Sequence, residues 1–155
     1  MSVRIEEADL ADAGQAAAVV ELIDGYARGP GGQNAPLEPG ARSALAPGLH
    51  EHPMATVYLA YEGERAAGVA VCIEGFSTFA GRPSLNIHDL AVAEHHQGRG
   101  IGAALIDRVV DDARAKGCCK VTLEVHDTNA NAKRLYQKKG FGPWEPATWF
   151  VTKPL

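Results

Sequence analysis

The chain has 155 residues, of which 46% are apolar and 22% charged, and a formal net charge of −4. This composition predicts one globular domain over residues 1–155, with enough chain to enclose a core. The negative charge disfavours nucleic acid as the main partner, and no stretch has the pattern of a membrane span or a secretory leader. Cys72, Cys118 and Cys119 lack the spacing of a metal or redox motif, so we expect reduced thiols in a cytoplasmic protein.

Apolar periodicity divides the chain into short elements. It predicts a strand at 2–7, a helix at 12–28, a short helix from 41 to about 45, hairpin strands at 54–61 and 66–76, a strand at 85–92, a helix at 103–116, a strand at 121–125, a helix at 129–139 and one or two strands within 141–151. This order predicts an α/β sandwich around one mixed sheet. Pro47-Gly48 is expected to interrupt the second helix, and the role of segment 29–53 stays open.

The most informative stretch joins the predicted strand 85–92 to the helix 103–116. Gly98, Gly100 and Gly102 stand at every second position after a short polar loop. Glycines at the start of a helix let a ligand approach the backbone, and the first N–H groups of a helix have no partner inside it. Because that end carries partial positive charge and Arg99 lies beside it, the stretch predicts a site for a diphosphate group.

Two other interpretations fit the glycines alone. Gly98-x-Gly100-x-x-Ala103, with Glu124 downstream, is also typical of a dinucleotide-binding turn. The turn comes too late in the chain for a doubly wound domain, however, and the four polar residues 94–97 separate it from the strand. The second alternative is an ordinary strand-to-helix connection that binds nothing.

Two motifs in register resemble the GNAT N-acetyltransferase family. Gln97-x-x-Gly100-x-Gly102 is similar to its acetyl-CoA signature, and Asn129-x-x-Ala132-x-x-Leu135-Tyr136-x-x-x-Gly140-Phe141 is similar to its second conserved block. The stretch 76–83 resembles the diamine (spermidine/spermine-like) acetyltransferases. The resemblance covers most of the chain from about Val57. It implies a single GNAT-like α/β domain, whose mixed central sheet has splayed central strands flanked by helices.

The resemblance also implies roles for individual residues. The main chain of Leu90, Ala91 and Val92 would pair with the pantetheine arm of acetyl-CoA like an added strand. The N–H of Leu90 would polarise the thioester carbonyl, and Tyr136 would protonate the leaving thiolate. The other cofactor-binding positions implied by the motifs are Gln97, Gly98, Arg99, Gly100, Ile101, Gly102, Ala103, Asn129 and Ala132.

The general base is not settled by the sequence. His88 stands where the diamine acetyltransferases have a glutamate, and it is either a base with a pKa near about 6.5 or a strand histidine held by hydrogen bonds. Asp89 matches that subgroup and could orient His88 or a cationic amine, but neighbouring strand residues face opposite sides unless a bulge intervenes. Glu74 is a further acidic candidate. The remaining histidine pairs are interpreted as solvated loop residues rather than metal ligands: His50, His52, His95 and His96.

These features predict an acetyl-CoA-dependent N-acetyltransferase that acts on a primary amine of a small molecule or peptide by direct attack in a ternary complex. The alternative is a non-catalytic, acetyl-CoA-binding regulatory module. An amine of pKa about 10.4 must lose a proton before it attacks, at a cost of roughly 4–5 kcal/mol at pH 7, which explains the search for a base. We expect no nucleic acid, membrane or metal partner, and a homodimer is an expectation of the resemblance alone.

Overall fold

The computed structural model of the protein describes residues 2–144 and 148–155. Its elements are β1 (Val3–Glu7), α1 (Ala13–Arg28), α2 (Pro39–Glu51), β2 (Ala55–Glu62), β3 (Arg65–Ser77), β4 (Arg82–Val92), α3 (Ile101–Ala115), β5 (Val121–Leu123) and α4 (Ala130–Lys138), with a 3₁₀ turn at Glu94–His96 before α3. The sheet has the order β1-β2-β3-β4-β5. Neighbouring strands are antiparallel up to β4, and β5 is parallel to β4. The predicted α/β architecture around a mixed sheet is confirmed.

Each face of the sheet carries its own apolar core because side chains alternate along the strands. On the face covered by α3 and α4, here called the α3 face, Leu105 and Val109 pack with Tyr58 of β2. On the opposite face, here called the α1 face, Val19 and Ile23 pack against β2 and β3, with side chains of α2 at the margin. A residue's position in its strand therefore decides which set of helices it meets.

One glycine brings α3 close to the sheet. A Cβ atom at Gly68 of β3 would lie 2.9 Å from Ile101 Cγ2 and 3.1 Å from Leu105 Cδ1. Contacts of that length are too short for packed carbon atoms, so the first turn of α3 rests directly on the backbone of β3. The N-terminus of α3 is thereby held beside the end of β4.

The second helix is longer than predicted. α2 begins at Pro39 and continues through Pro47 to Glu51. Pro47 has no N–H to offer the carbonyl of Ser43, but both residues are exposed, so water can bond to that carbonyl. The expectation that Pro47-Gly48 would interrupt this helix was therefore wrong.

The predicted C-terminal strand is also absent from the described residues, 141–144 and 148–155. Trp149, Phe150 and Val151 have strand-like composition but are 89%, 76% and 82% exposed. A strand requires a neighbour for its N–H and C=O groups, and this segment pairs with no strand in the described sheet. The prediction of a strand here was wrong because it used local β propensity alone.

Candidate functional site

The glycine turn, residues 98–103, presents a row of main-chain donors. Gly98 and Gly100 adopt left-handed conformations (φ +75° and +82°), and Gly100 caps α3 without a side-chain hydrogen bond. The helical bonding begins with the N–H of Ala104, which donates to the Gly100 carbonyl at 3.0 Å. Within the described part of the chain, none of the six N–H groups from 98 to 103 donates to a protein acceptor. This is the arrangement that binds phosphate oxygens at a helix N-terminus.

The residues of the turn contribute backbone rather than side chains. Ile101 is 1% exposed, and its side chain lies in the core of the α3 face. A Cβ at Gly102 would lie 3.3 Å from Leu135 Cδ2, so α4 packs closely there. Cβ atoms at Gly98 and Gly100 would meet no atom of the described residues within 4 Å, which leaves that side of the turn open to a ligand.

Two side chains of this region are paired with an acid that the sequence analysis overlooked. Glu62, at the end of β2, accepts a hydrogen bond from Arg99 Nη1 at 3.0 Å and lies 2.5 Å from His96 Nδ1. These bonds, that of His96 first, hold the pKa of Glu62 below its ordinary value. His96 was therefore misinterpreted as a solvated histidine. No local pattern links Glu62 to partners 34 and 37 residues away.

The strand before the turn is paired along only part of its outer edge. β5 contacts β4 at three positions, the last being Leu123 opposite Ile87. No other described strand continues along that edge, so residues 88–92 are open on the side away from β3. This is the splaying that the resemblance implied.

Only alternate residues direct main-chain groups to the open edge. The N–H of Ala93 donates to a carbonyl of β3 at 2.8 Å, and main-chain groups alternate in direction along an antiparallel strand. Ala91 therefore faces β3, whereas Leu90 and Val92 face the open edge. Ala91 cannot pair with a ligand as expected. The Val92 carbonyl already accepts a bond from Gln97 Nε2 at 3.2 Å, so Gln97 contacts the strand.

A β-bulge resolves the geometry of His88 and Asp89. Val71 of β3 pairs with Asp89, but its neighbour Cys72 pairs with Ile87, which leaves His88 as an extra residue. Ile87 lies in the core of the α3 face, and Ala91 in that of the α1 face. Counting from either side of the bulge, His88 and Asp89 both belong to the α1 face, so the bulge is the exception under which these two neighbouring side chains share one face. Burial raises the pKa of Asp89, and the neighbouring His88 partly offsets this.

Tyr26 of α1 belongs to the same cluster and was missed as a site residue. Tyr26 packs against the core of the α1 face, which includes Ala91 of β4, two residues after Asp89. Burial raises the pKa of the Tyr26 phenol, and the charge of Asp89 raises it further. A Cβ at Gly31 would lie 3.2 Å from the Tyr26 ring, so the loop after α1 covers this side chain. In the sequence, Tyr26 was indistinguishable from the apolar residues on its helix face.

Asp24 fixes that loop. This carboxylate is 5% exposed and accepts from the N–H of Leu37 at 2.9 Å and from Arg28 Nε at 2.8 Å, with Arg42 Nη1 at 3.4 Å. The bonds from Leu37 and Arg28 lower the pKa of Asp24. Asp24 therefore joins the end of α1, the loop 29–38 and the start of α2 into one wall beside Tyr26. From the sequence, Asp24 and Arg28 form an ordinary i, i+4 pair, which carries no such signal.

Tyr136 lies on α4, in the core of the α3 face. It is 8% exposed and packs edge to face on Phe141, with ring centroids 5.9 Å apart. Burial raises the pKa of Tyr136, and the charge of Tyr26 adds to this. Its hydroxyl makes no hydrogen bond to the described residues, so its proton is not committed elsewhere.

The remaining candidates have mainly structural contacts. Asn129 Oδ1 accepts from the N–H of Ala132 at 3.1 Å as the N-cap of α4, which leaves the amide Nδ2 of Asn129 free to reach a ligand. Glu74 shares the α3 face with Cys72 and so lies opposite Asp89; burial raises the pKa of Cys118, and the charge of Glu74 raises it further. Glu74 therefore does not join the cluster of His88 and Asp89.

Two findings concern other classes of site. Within residues 2–144 and 148–155, no three His, Cys, Asp or Glu side chains are grouped so that they could hold a metal ion. Among the helices described, none has the length and apolar character needed to cross a bilayer.

Known proteins provide an independent comparison. Residues 18–141 match the acetyltransferase (GNAT) family. The chain is 47% identical over 57 residues to a mycothiol acetyltransferase of Beutenbergia cavernae, covering 37% of this chain and 19% of that protein. It is 33% identical over 79 residues to the thialysine N-epsilon-acetyltransferase of Bos taurus, covering 51% and 46%. The chain thus spans less than half the length of these curated relatives.

Solved structures show the same fold at lower identity. A ribosomal-protein-alanine N-acetyltransferase from Brucella melitensis biovar Abortus 2308 superposes with a TM-score of 0.76 at 20% identity, covering 98% of this chain and 100% of the other. An aminoglycoside acetyltransferase from an uncultured soil metagenomic sample, in complex with sisomicin, gives 0.81 at 18% identity, covering 99% and 97%. Since the family match extends over most of the chain and includes both motifs and the glycine turn, the protein belongs to the acetyltransferase (GNAT) family.

Proposed function

We propose that the protein is an acetyl-CoA-dependent N-acetyltransferase that acts on a primary amine. One observation carries the proposal. The six N–H groups of the glycine turn have no acceptor among the described residues, and they lie at the N-terminus of α3, next to the edge of β4 that no described strand pairs with. The turn would bind the diphosphate of the co-substrate, and the edge would bind its extended arm. A dinucleotide-binding turn has no need of the second feature.

The main chain of β4 would orient the thioester. Leu90 and Val92 direct their N–H groups to the open edge, and the Val92 carbonyl is already bonded to Gln97. The N–H of Leu90 would donate to the thioester carbonyl, where negative charge grows during attack. Asn129 Nδ2 at the start of α4 is available to the arm from the opposite side.

The acceptor amine would approach from the α1 face. There the bulge places His88 and Asp89 together beside Tyr26, immediately before Leu90 in the strand. A carboxylate that is partly buried attracts a cationic amine, and the exposed His88 can take the proton that the amine must lose. Direct attack needs no covalent intermediate, so no cysteine is assigned a role.

Tyr136 would supply the proton for the leaving sulfur. Its raised pKa keeps the phenol protonated throughout the neutral range. A thiol has a pKa of about 8.5 and an ordinary phenol one of about 10, so full transfer from Tyr136, whose pKa is higher still, is uphill by more than roughly 2 kcal/mol. Tyr136 is therefore best described as a hydrogen-bond donor that passes its proton as the carbon–sulfur bond breaks.

Release of free thiol from acetyl-CoA tests the proposal. The acceptor panel should include diamines, other small amines and peptides, because the relatives are named for acceptors as different as thialysine and a ribosomal protein. We expect acceptor-dependent release, and a Tyr136→Phe variant should lower kcat about 10- to 1000-fold while leaving coenzyme A affinity unchanged. Tight binding without release for any acceptor would favour the regulatory module. Absence of binding would contradict both.

A further inference from the structure

The segment between β4 and α3 is held by few main-chain bonds. Ala93 bonds to β3, and His96 and Gln97 donate only to carbonyls of this short turn. From 98 to 103, the described chain offers no acceptor to any N–H group. Because these N–H groups are free and Gly98 and Gly100 adopt left-handed conformations, few main-chain hydrogen bonds fix the conformation of the turn. Side-chain contacts must therefore fix it.

Glu62 is the side chain best placed for that task. Its carboxylate is 7% exposed, and its Oε2 atom contacts both His96, before the first glycine, and Arg99, between the first two. The two contacts lie on either side of Gly98. They join the segment to the β2–β3 hairpin, which is itself fixed by pairing with β1 and β4.

The charge of Glu62 argues against a direct role in binding. A carboxylate repels a diphosphate, and here it also occupies one donor of Arg99. The Glu62 carboxylate can therefore favour binding only through the two side chains that it holds, His96 and Arg99. Glu62 already holds the side chains of His96 and Arg99 in the ligand-free protein, so binding does not have to lose the conformational entropy of ordering them.

We propose that Glu62 is a positioning residue of the coenzyme A site, which keeps the glycine turn in its binding conformation through His96 and Arg99. The proposal rests on the proposed function only in naming the ligand. The order of the turn in the free protein is a separate property and can be measured without any ligand.

Glu62→Gln is the test variant, and Glu64→Gln is its matched control. Glu64 lies in the same hairpin turn and is exposed, and it makes no ion pair within the described residues. Both variants remove one negative charge near the site. Calorimetric titration with coenzyme A at about 0.5 M salt, where distant charges are screened, separates the positioning effect from the charge effect.

We expect Glu62→Gln to raise the Kd for coenzyme A roughly tenfold, as the release of two ordered side chains implies, with the acceptor KM unchanged. The ¹⁵N heteronuclear NOE of Gly98 and Gly100 in the free protein should fall. Glu64→Gln should match the wild type in both measurements. His96→Gln provides a second variant if Glu62→Gln does not fold, and it should weaken binding in the same direction but by less.

The outcomes are distinct. Equal Kd values for Glu62→Gln and Glu64→Gln, or a lower NOE without weaker binding, would overturn the inference. If the wild type bound no coenzyme A, the proposed function would fail, but the NOE comparison would still decide whether Glu62 orders the turn.

Discussion

Replacing Gly100 by alanine separates the two reasons for a glycine in the turn. Gly100 has a φ of +82°, and in the part of the chain that the structure describes no atom lies within 4 Å of a Cβ placed there. Packing therefore permits alanine, and only the left-handed conformation opposes it, at a cost of about 1–2 kcal/mol. For a chain of this size, the cost corresponds to a fall in Tm of about 2–8 °C.

Binding should suffer more than stability. An alanine that relaxes to negative φ turns the adjoining N–H groups away from the ligand, and one that does not places its methyl group where the diphosphate approaches. Loss of one hydrogen bond to a charged group costs about 1.5–3 kcal/mol, which is a 10- to 150-fold rise in Kd. Titration of the Gly100→Ala variant with coenzyme A measures this.

Gly63→Ala is the control for backbone strain. Gly63 also has a left-handed φ, +62°, and no atom within 4 Å of its ideal Cβ, but it lies in the β2–β3 turn. Both variants should lose similar stability by calorimetry, and only Gly100→Ala should lose affinity. A Kd for Gly100→Ala within about twofold of the wild type would refute the assignment of the turn to the diphosphate.

Three further outcomes follow from single contacts. Asp24→Asn should raise the acceptor KM several-fold without changing the KM for acetyl-CoA, and it should lower Tm by several degrees. Because the pKa of Asp24 is lowered in the folded state, its contribution to stability is present above the pKa of the unfolded state and is lost as pH falls through the pKa of the folded state. The Tm difference between wild type and variant should therefore shrink in acid. Equal changes in both KM values would contradict the approach of the acceptor along the wall that Asp24 fixes beside Tyr26. Because burial raises the pKa of Asp89, wild-type kcat/KM should decline as pH falls through a value above about 3.9. Asp89→Asn should be slower and should lack this acid decline in its pH profile. An acid decline that persists in the variant would exclude Asp89 as its source. Gly68→Ala should cost about 1–3 kcal/mol by overpacking Ile101 and Leu105, a Tm loss of about 2–12 °C by calorimetry, and an unchanged Tm would show that α3 can shift away.

Periodicity located the helices and strands because each apolar stripe needs a core to cover it. The helix after the glycine turn, for example, places Leu105, Ile106 and Val109 on one buried face. The prediction was wrong where an element depends on its neighbours. Thr148–Val151 resembles a strand locally, but nothing in the described sheet pairs with it, and Pro47 does not end α2 because the carbonyl it leaves free is exposed.

By itself, the sequence determined the glycine turn, the cap at Asn129 and the acetyltransferase motifs, since these depend on residues close together in the chain. Tertiary structure decided the chemistry around them. The bulge that puts His88 and Asp89 on one face is a property of strand pairing, because a single extra residue in β4 reverses the alternation without any mark in the sequence. The contacts of Asp24 with Leu37 and of Glu62 with Arg99 likewise join residues 13 and 37 positions apart, and only the folded chain brings each carboxylate to its donor.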